Sequence, residues 1–190
     1  FGIGCDQIVV GRPSQAADFQ MQIFNADGSQ VEMCANGIRA FYKYLRDHGH
    51  TTQDEISVET LGGVVYPRWA GKRGGEDSIT VNMGKPILEP AKIPTRLAAD
   101  QTRAIDVPLE VDGEKFLITS VSMGNPHAVI YVAGDVDAFA VEKFGPQIEN
   151  HAAVPNRVNV EFVQVLSRSR VRQRTWERGA GETLACGSGA

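Results

Sequence analysis

Residues 19–25, "FQMQIFN", alternate apolar and polar side chains. A period of two predicts a strand with one buried face. Residues 7–11 are also β-rich, and "NADG" at 25–28 is turn chemistry. After Cys34 the period changes. Ile38, Phe41, Tyr42 and Leu45 fall at i, i+3, i+4 and i+7, which predicts an amphipathic helix. Gly49 is its expected stop. Three strands are expected at 55–60, 63–69 and 78–83, joined by "LGG" and "GKRGGED". Pro86, Pro90 and Pro94 lie in a stretch without periodicity, which places a crossing between domains near residues 85–95.

The second half repeats the style. "AIDVPLEV" and "EKFLITSV" flank Asp112-Gly113, a hairpin signal. "HAVIYV" predicts a strand, and residues 137–150 a helix. "RVNVEFVQV" and "SRVRQRTWERG" predict two more strands. Arg168, Arg170, Arg172 and Arg174 alternate along the last one, the pattern of a solvated strand face.

Two segments resemble one another. "NADGSQVEMCANG" carries Asn25 nine residues before Cys34, and "ERGAGETLACGSG" carries Glu177 nine residues before Cys186. Each has a Gly-containing turn before its cysteine. Each then reads cysteine, a small residue, a polar amide or hydroxyl, and glycine. The reading is α+β, with two similar halves at 1–86 and 87–190, each presenting a thiol where a strand and turn lead into a helix.

Composition narrows the chemistry. The chain has 190 residues, 42% hydrophobic and 22% charged, as globular domains do. A net charge of −4 argues against a general nucleic-acid binder. No apolar run approaches the about 18 residues that span a bilayer, and no leader pattern is visible. Three cysteines match neither a disulfide framework nor a zinc spacing, so reduced thiols are expected. Cys5 has no activating neighbour and reads as a small buried hydrophobe. His48 and His50 in "DHGH" read as exposed helix-end residues rather than metal ligands.

A helix N-terminus offers unpaired N–H groups and partial positive charge, so a cysteine there is expected to be more readily thiolate. The amides of Ala35 and Asn36, and of Gly187 and Ser188, could also hold a carboxylate. Face to face, two such junctions would form a cleft with a thiol on each side. One thiolate could remove the α-hydrogen of an amino acid while the opposite thiol protonates the other face. That inverts the centre with no pyridoxal phosphate and no metal. No dinucleotide or P-loop fingerprint is present.

"FGIGCDQ", "FNADGSQVEMCANGIRA", "GNPHAV", "RVNVEFVQV" and "TWERGAGETLACGSGA" together resemble the diaminopimelate epimerase family along the whole chain. The resemblance implies two pseudo-symmetric halves, each a mixed or antiparallel sheet wrapped around a central helix, with the active-site cleft between them. It implies cofactor-independent interconversion of LL- and meso-2,6-diaminopimelate in lysine and peptidoglycan-precursor biosynthesis. Cys34 and Cys186 would be the acid–base pair, with His127 and Glu177 tuning them. Gln7, Asn25, Ala35, Asn36, Asn125, Asn159, Glu177, Arg178, Gly187 and Ser188 would bind the substrate. A cytoplasmic homodimer taking a small amino-acid substrate is implied, with no nucleic-acid or membrane partner. Ala35 departs from the family's usual glycine, and a modest effect is expected. Family members extend beyond both ends of this chain, so a segment of a longer protein is expected. The alternatives are a proline or hydroxyproline type racemase of the same fold, a binding protein that kept the fold without activity, and a thiol redox protein in which Cys34 and Cys186 pair.

Overall fold

Alternating and helical periods both become hydrogen-bonded elements in the computed structural model, which describes residues 4, 5 and 7–190. Residues 1–3 and 6 of the "FGIGCDQ" motif lie outside the described residues. The chain divides into two compact units, Phe1–Gly84 and Lys85–Ala190.

The first unit holds strands β1 (Gln7–Arg12), β2 (Phe19–Asn25), β3 (Gln30–Val31), β4 (Val58–Thr60), β5 (Gly63–Arg73) and β6 (Glu76–Asn82), with helix α1 (Ala35–Asp47) between β3 and β4. The sheet order is β1-β2-β4-β5-β6, with β3 also on β2. The β2–β4 pair is parallel and the others are antiparallel. The alternation in β2 sends Met21 and Ile23 into the core. There they meet Ile38, Phe41, Tyr42 and Leu45, the four residues of the helical stripe. Tyr42 is fully buried, and its hydroxyl donates to the carbonyls of Gln53 and Asp54 at 2.8 and 2.9 Å. The helix stops as the glycine predicts. Gly49 adopts φ 71, and His50 N–H returns to Leu45 O at 2.8 Å.

The second unit holds β7 (Val107–Val111), β8 (Glu114–Ser122), β9 (Pro126–Tyr131), helix α2 (Val141–Glu149), β10 (Asn159–Ser167), β11 (Arg170–Glu177) and β12 (Gly181–Thr183). The sheet order is β12-β11-β10-β9-β8-β7, with only β9–β10 parallel. Its core gathers Ile118, Ala128, Ile130, Val160 and Phe162 from the sheet with Val141, Phe144 and Ile148 from α2. Each unit is thus α+β, a six-stranded mixed sheet with one α-helix. The aperiodic 85–95 stretch belongs to the second unit, where Ile87 exchanges backbone bonds of 2.8 and 2.9 Å with Ser122.

Three expectations are corrected. The helix read at 137–150 begins only at Val141, after a separate 3-10 turn at Val136–Ala138. Arg174 is the physical reason, because its Nη1 donates to the carbonyls of Val136, Asp137 and Phe139 and so holds that stretch out of the helical ladder. The arginine run is therefore not simply a solvated face. Arg174 also forks onto Glu182 at 2.6 and 2.8 Å, and Arg172 binds Asp137 at 2.6 Å. Cys5 is exposed rather than buried. It follows Gly4, at φ 76, on a segment outside both cores. Residues 187–189, which follow Cys186, form a turn. No helix among the described residues is long and apolar enough to cross a membrane.

Candidate functional site

The structure places the sequence-derived residues in two groups, one in each unit. In the first unit Cys34 is the N-cap of α1, with extended backbone at φ −138, ψ 108. Its Sγ accepts the Gly37 N–H at 3.2 Å. Serine, threonine, aspartate or asparagine usually fills this position, so a sulfur here has taken over the cap. The amide and the helix dipole both favour negative charge on it. Gly37 has little alternative, because a Cβ there would lie 3.3 Å from Cys34 Sγ. Ala35 is the first helical residue and is buried, and it is not among the residues with positive φ. Its methyl therefore brings no backbone strain. Asn25 lies across β1 and β2 from Gln7, whose Nε2 donates to Asn25 Oδ1 at 2.9 Å. Asn25 Nδ2 donates to Ser29 Oγ at 3.2 Å, and its backbone closes the "NADG" turn. Asn36 Oδ1 accepts from Arg39 on the next turn of α1.

The second unit gathers a buried polar group beneath Cys186. His127 stands on β9 and Glu161 on β10. Asn159 pairs in register with His127, and Glu161 lies two residues further along, so these side chains share one face of the sheet. His127 Nδ1 meets Glu161 Oε1 at 2.7 Å, and its Nε2 meets Asn125 Oδ1 at 3.0 Å. Asn125 Nδ2 donates to Ser188 Oγ at 3.1 Å, and that hydroxyl lies 3.5 Å from Cys186 Sγ. With the amide nitrogen donating to Ser188, Asn125 Oδ1 accepts, so His127 carries its proton on Nε2. Burial pushes the Glu161 carboxyl up, with the His127 contact pulling against it. One proton lies between Nδ1 and Glu161 Oε1. The donors of His127, Asn125 and Ser188 thus run in series towards the sulfur. The series ends on a hydroxyl able to donate to a thiolate as it forms.

Burial also pushes the Cys186 thiol up, from 9.0 to about 11, with the Ser188 contact opposing and the nearby Glu177 and Glu161 reinforcing. This reverses the expectation that both cysteines lean towards thiolate. Desolvation prevails at this thiol over the opposing Ser188 contact. Asn159 is buried and fixes the neighbouring segment. Its Nδ2 donates to Pro126 O at 3.1 Å, and its Oδ1 accepts Arg178 N–H at 2.8 Å. Glu177 accepts from the Thr183 hydroxyl, and Arg178 Nη1 reaches Asn156 O at 3.3 Å. Gly187 sits exposed in the 187–189 turn beside the buried Ser188.

Sequence reasoning missed Glu161 and Gly189. A Cβ on Gly189 would collide with the Glu161 carboxylate, so glycine is required there by close approach rather than by backbone angle. The available signal was one acid inside the apolar run "VNVEFV". One ligand atom from each of His127, Glu161 and Cys186 lies within 4.8 Å of the others, a potential metal-binding group.

Comparison with known proteins agrees with these motifs. The sequence profile of the diaminopimelate epimerase family matches residues 1–89 and 119–190. The diaminopimelate epimerase of Acetivibrio thermocellus is 50% identical over all of this chain and 67% of its own length. That of Desulfovibrio desulfuricans is 49% identical, again over all of this chain and 67% of its own. The chain thus spans about two thirds of these curated relatives. Among solved structures, a hydroxyproline epimerase from Agrobacterium vitis with bound trans-4-hydroxy-L-proline superposes with a TM-score of 0.67 at 15% identity, covering 96% of this chain and 55% of that one. A Bacillus anthracis phenazine biosynthesis protein of the PhzF family gives 0.64 at 18% identity, covering 98% and 63%. At such identities the structural likeness is one of fold.

Proposed function

The chain belongs to the diaminopimelate epimerase family, and from that premise we propose that it epimerises LL-2,6-diaminopimelate to the meso form with two cysteines as base and acid. The observation that carries the mechanism is the difference between the two thiols. Cys34 caps a helix and accepts an amide hydrogen, a setting that favours the thiolate. Cys186 is buried and held protonated, with its thiol pushed up to about 11. Inversion by two groups needs one base and one acid at the start of each turnover. Cys34 is the resting base and Cys186 the resting acid in this reading.

The reacting carboxylate would lie on the amides that follow each cysteine, those of Ala35 and Asn36 and of Gly187 and Ser188. Negative charge spreading onto it as the α-proton leaves is then met by N–H groups already in place. As Cys186 gives up its proton, the Ser188 hydroxyl and the relay behind it turn towards the new thiolate. His127 acts through that relay. Glu177 and Arg178 would hold the distal, non-reacting amino-acid end, with Arg178 anchored through its backbone to Asn159. Gln7, Asn25, Asn125 and Asn159 complete the substrate-binding set. No cofactor enters this scheme. The same reading carries a cytoplasmic homodimer, and sedimentation velocity checks the stoichiometry.

The test is solvent deuterium incorporation at the α-carbon. Reduced protein is incubated in heavy water with LL-diaminopimelate, and separately with proline, and followed by NMR. Exchange is expected with diaminopimelate alone. Cys34→Ala and Cys186→Ala are each expected to abolish epimerisation while keeping the wild-type circular dichroism. Exchange with proline alone would move the chain to the racemases of the same fold, and turnover by either single variant would sink the two-base scheme.

A further inference from the structure

We propose that Cys186, His127 and Glu161 form a site for a thiophilic divalent cation such as zinc, and that its occupancy shuts down the thiol as an acid–base group. One ligand atom of each lies within 4.8 Å of the others, and the three residues are 8%, 2% and 0% exposed. Thiolate, imidazole and carboxylate are the donors that zinc accepts, at about 2.3, 2.0–2.1 and 2.0–2.2 Å. Bringing these atoms to such distances takes side-chain shifts on the order of 1 Å.

A second observation points to a missing partner. Glu161 Oε2 is buried and has no hydrogen-bond partner among the described residues. Buried polar atoms are nearly always satisfied, and an orphan calls for an ion, a water or a proton. The surroundings also suit a metal. His127 Nε2 faces Asn125 Oδ1, so metal on Nδ1 would leave an oriented Nε2–H bond on the far side of the ring. The ligands come from β9, β10 and the 186–189 turn. Two of them are therefore held by the sheet, and Gly189, in the turn that follows the third, lies close against Glu161.

The exchange balances without redox chemistry. The cation replaces the proton on Cys186 Sγ and the proton between His127 Nδ1 and Glu161 Oε1, and both pass to solvent. A doubly charged cation with one thiolate and one carboxylate is neutral, which suits a buried place. The occupant is an inhibitor rather than a cofactor, because it holds the sulfur lone pair that the proton must use.

The test is optical and independent of turnover. Reduced protein is titrated with cobalt(II), whose bond to a thiolate produces a near-ultraviolet charge-transfer band. The band is expected in wild type and in a Cys5→Ser/Cys34→Ser double variant, and zinc should bleach it. It should be lost in Cys186→Ser, and Glu161→Gln should weaken cobalt binding by about tenfold or more. On unaltered protein, zinc should protect Cys186 from iodoacetamide while Cys5 continues to react, read by peptide mass spectrometry. A band that survives Cys186→Ser or vanishes without Cys34, unchanged affinity in Glu161→Gln, or no protection of Cys186 would each overturn the site.

Discussion

Cys186 and Cys34 share nearly the same local sequence, yet their sulfurs meet opposite physics. The first accepts a helix amide, and the second is desolvated over a buried relay. A pH dependence follows for Cys186. Its ordinary value is 9.0 and its folded value about 11, so between them the unfolded chain binds fewer protons than the folded one. The stabilisation is complete below pH 9 and is lost as pH rises through 11, on the order of 2 kcal/mol in all. The urea midpoint of wild type should therefore fall more steeply over that range than the midpoint of Cys186→Ser; parallel curves would discard burial of this thiol as the cause. At this scale the cysteines and their polar companions stand out in the sequence as "CANG", "GNPHAV" and "CGSG". Glu161 does not. One acid in an apolar strand reads as an alternation, and only the register of β9 against β10 brings it to His127.

Helix α1 was legible almost to the residue, because one stripe, one cap and one glycine all agree. Helix α2 was not. Its start depends on Arg174, some thirty residues away, holding three carbonyls that a local reading would assign to the helix. Its packing depends on Gly145, where a Cβ would lie 2.6 Å from Trp176 Cγ. Trp176 cannot retreat, since its Nε1 donates to Glu149 Oε2 at 2.7 Å, and Glu149 Oε1 also receives the Gly179 N–H at 2.9 Å. These bonds tie the end of α2 to the turn after Arg178. Gly145→Ala, although favourable to an isolated helix by about 1 kcal/mol, is expected to destabilise the protein by about 1–3 kcal/mol through overpacking. Thermal denaturation followed by Trp176 fluorescence measures it. A rise in Tm would mean that α2 moves away from the ring at little cost.

Among the described residues each unit has its own sheet and its own buried cluster, and no strand of one sheet is borrowed from the other. Ile38 is fully buried in the first cluster, and Ile38→Ala should cost about 2–5 kcal/mol. Hydrogen exchange should register that loss in β2, β4 and α1, while amides in β8–β10 keep their protection. An equal loss in both would mean that the chain opens as one cooperative body. The paired cysteine segments are the sequence's sign of two similar halves. The asymmetry between the units has no such sign, because it arises from burial rather than from local sequence. The contiguous division at Gly84 and Lys85 also has a genetic consequence. A single cut in the reading frame there leaves every ladder neighbour among the described residues with its partner, the capped thiol on one side of the cut and the buried one on the other.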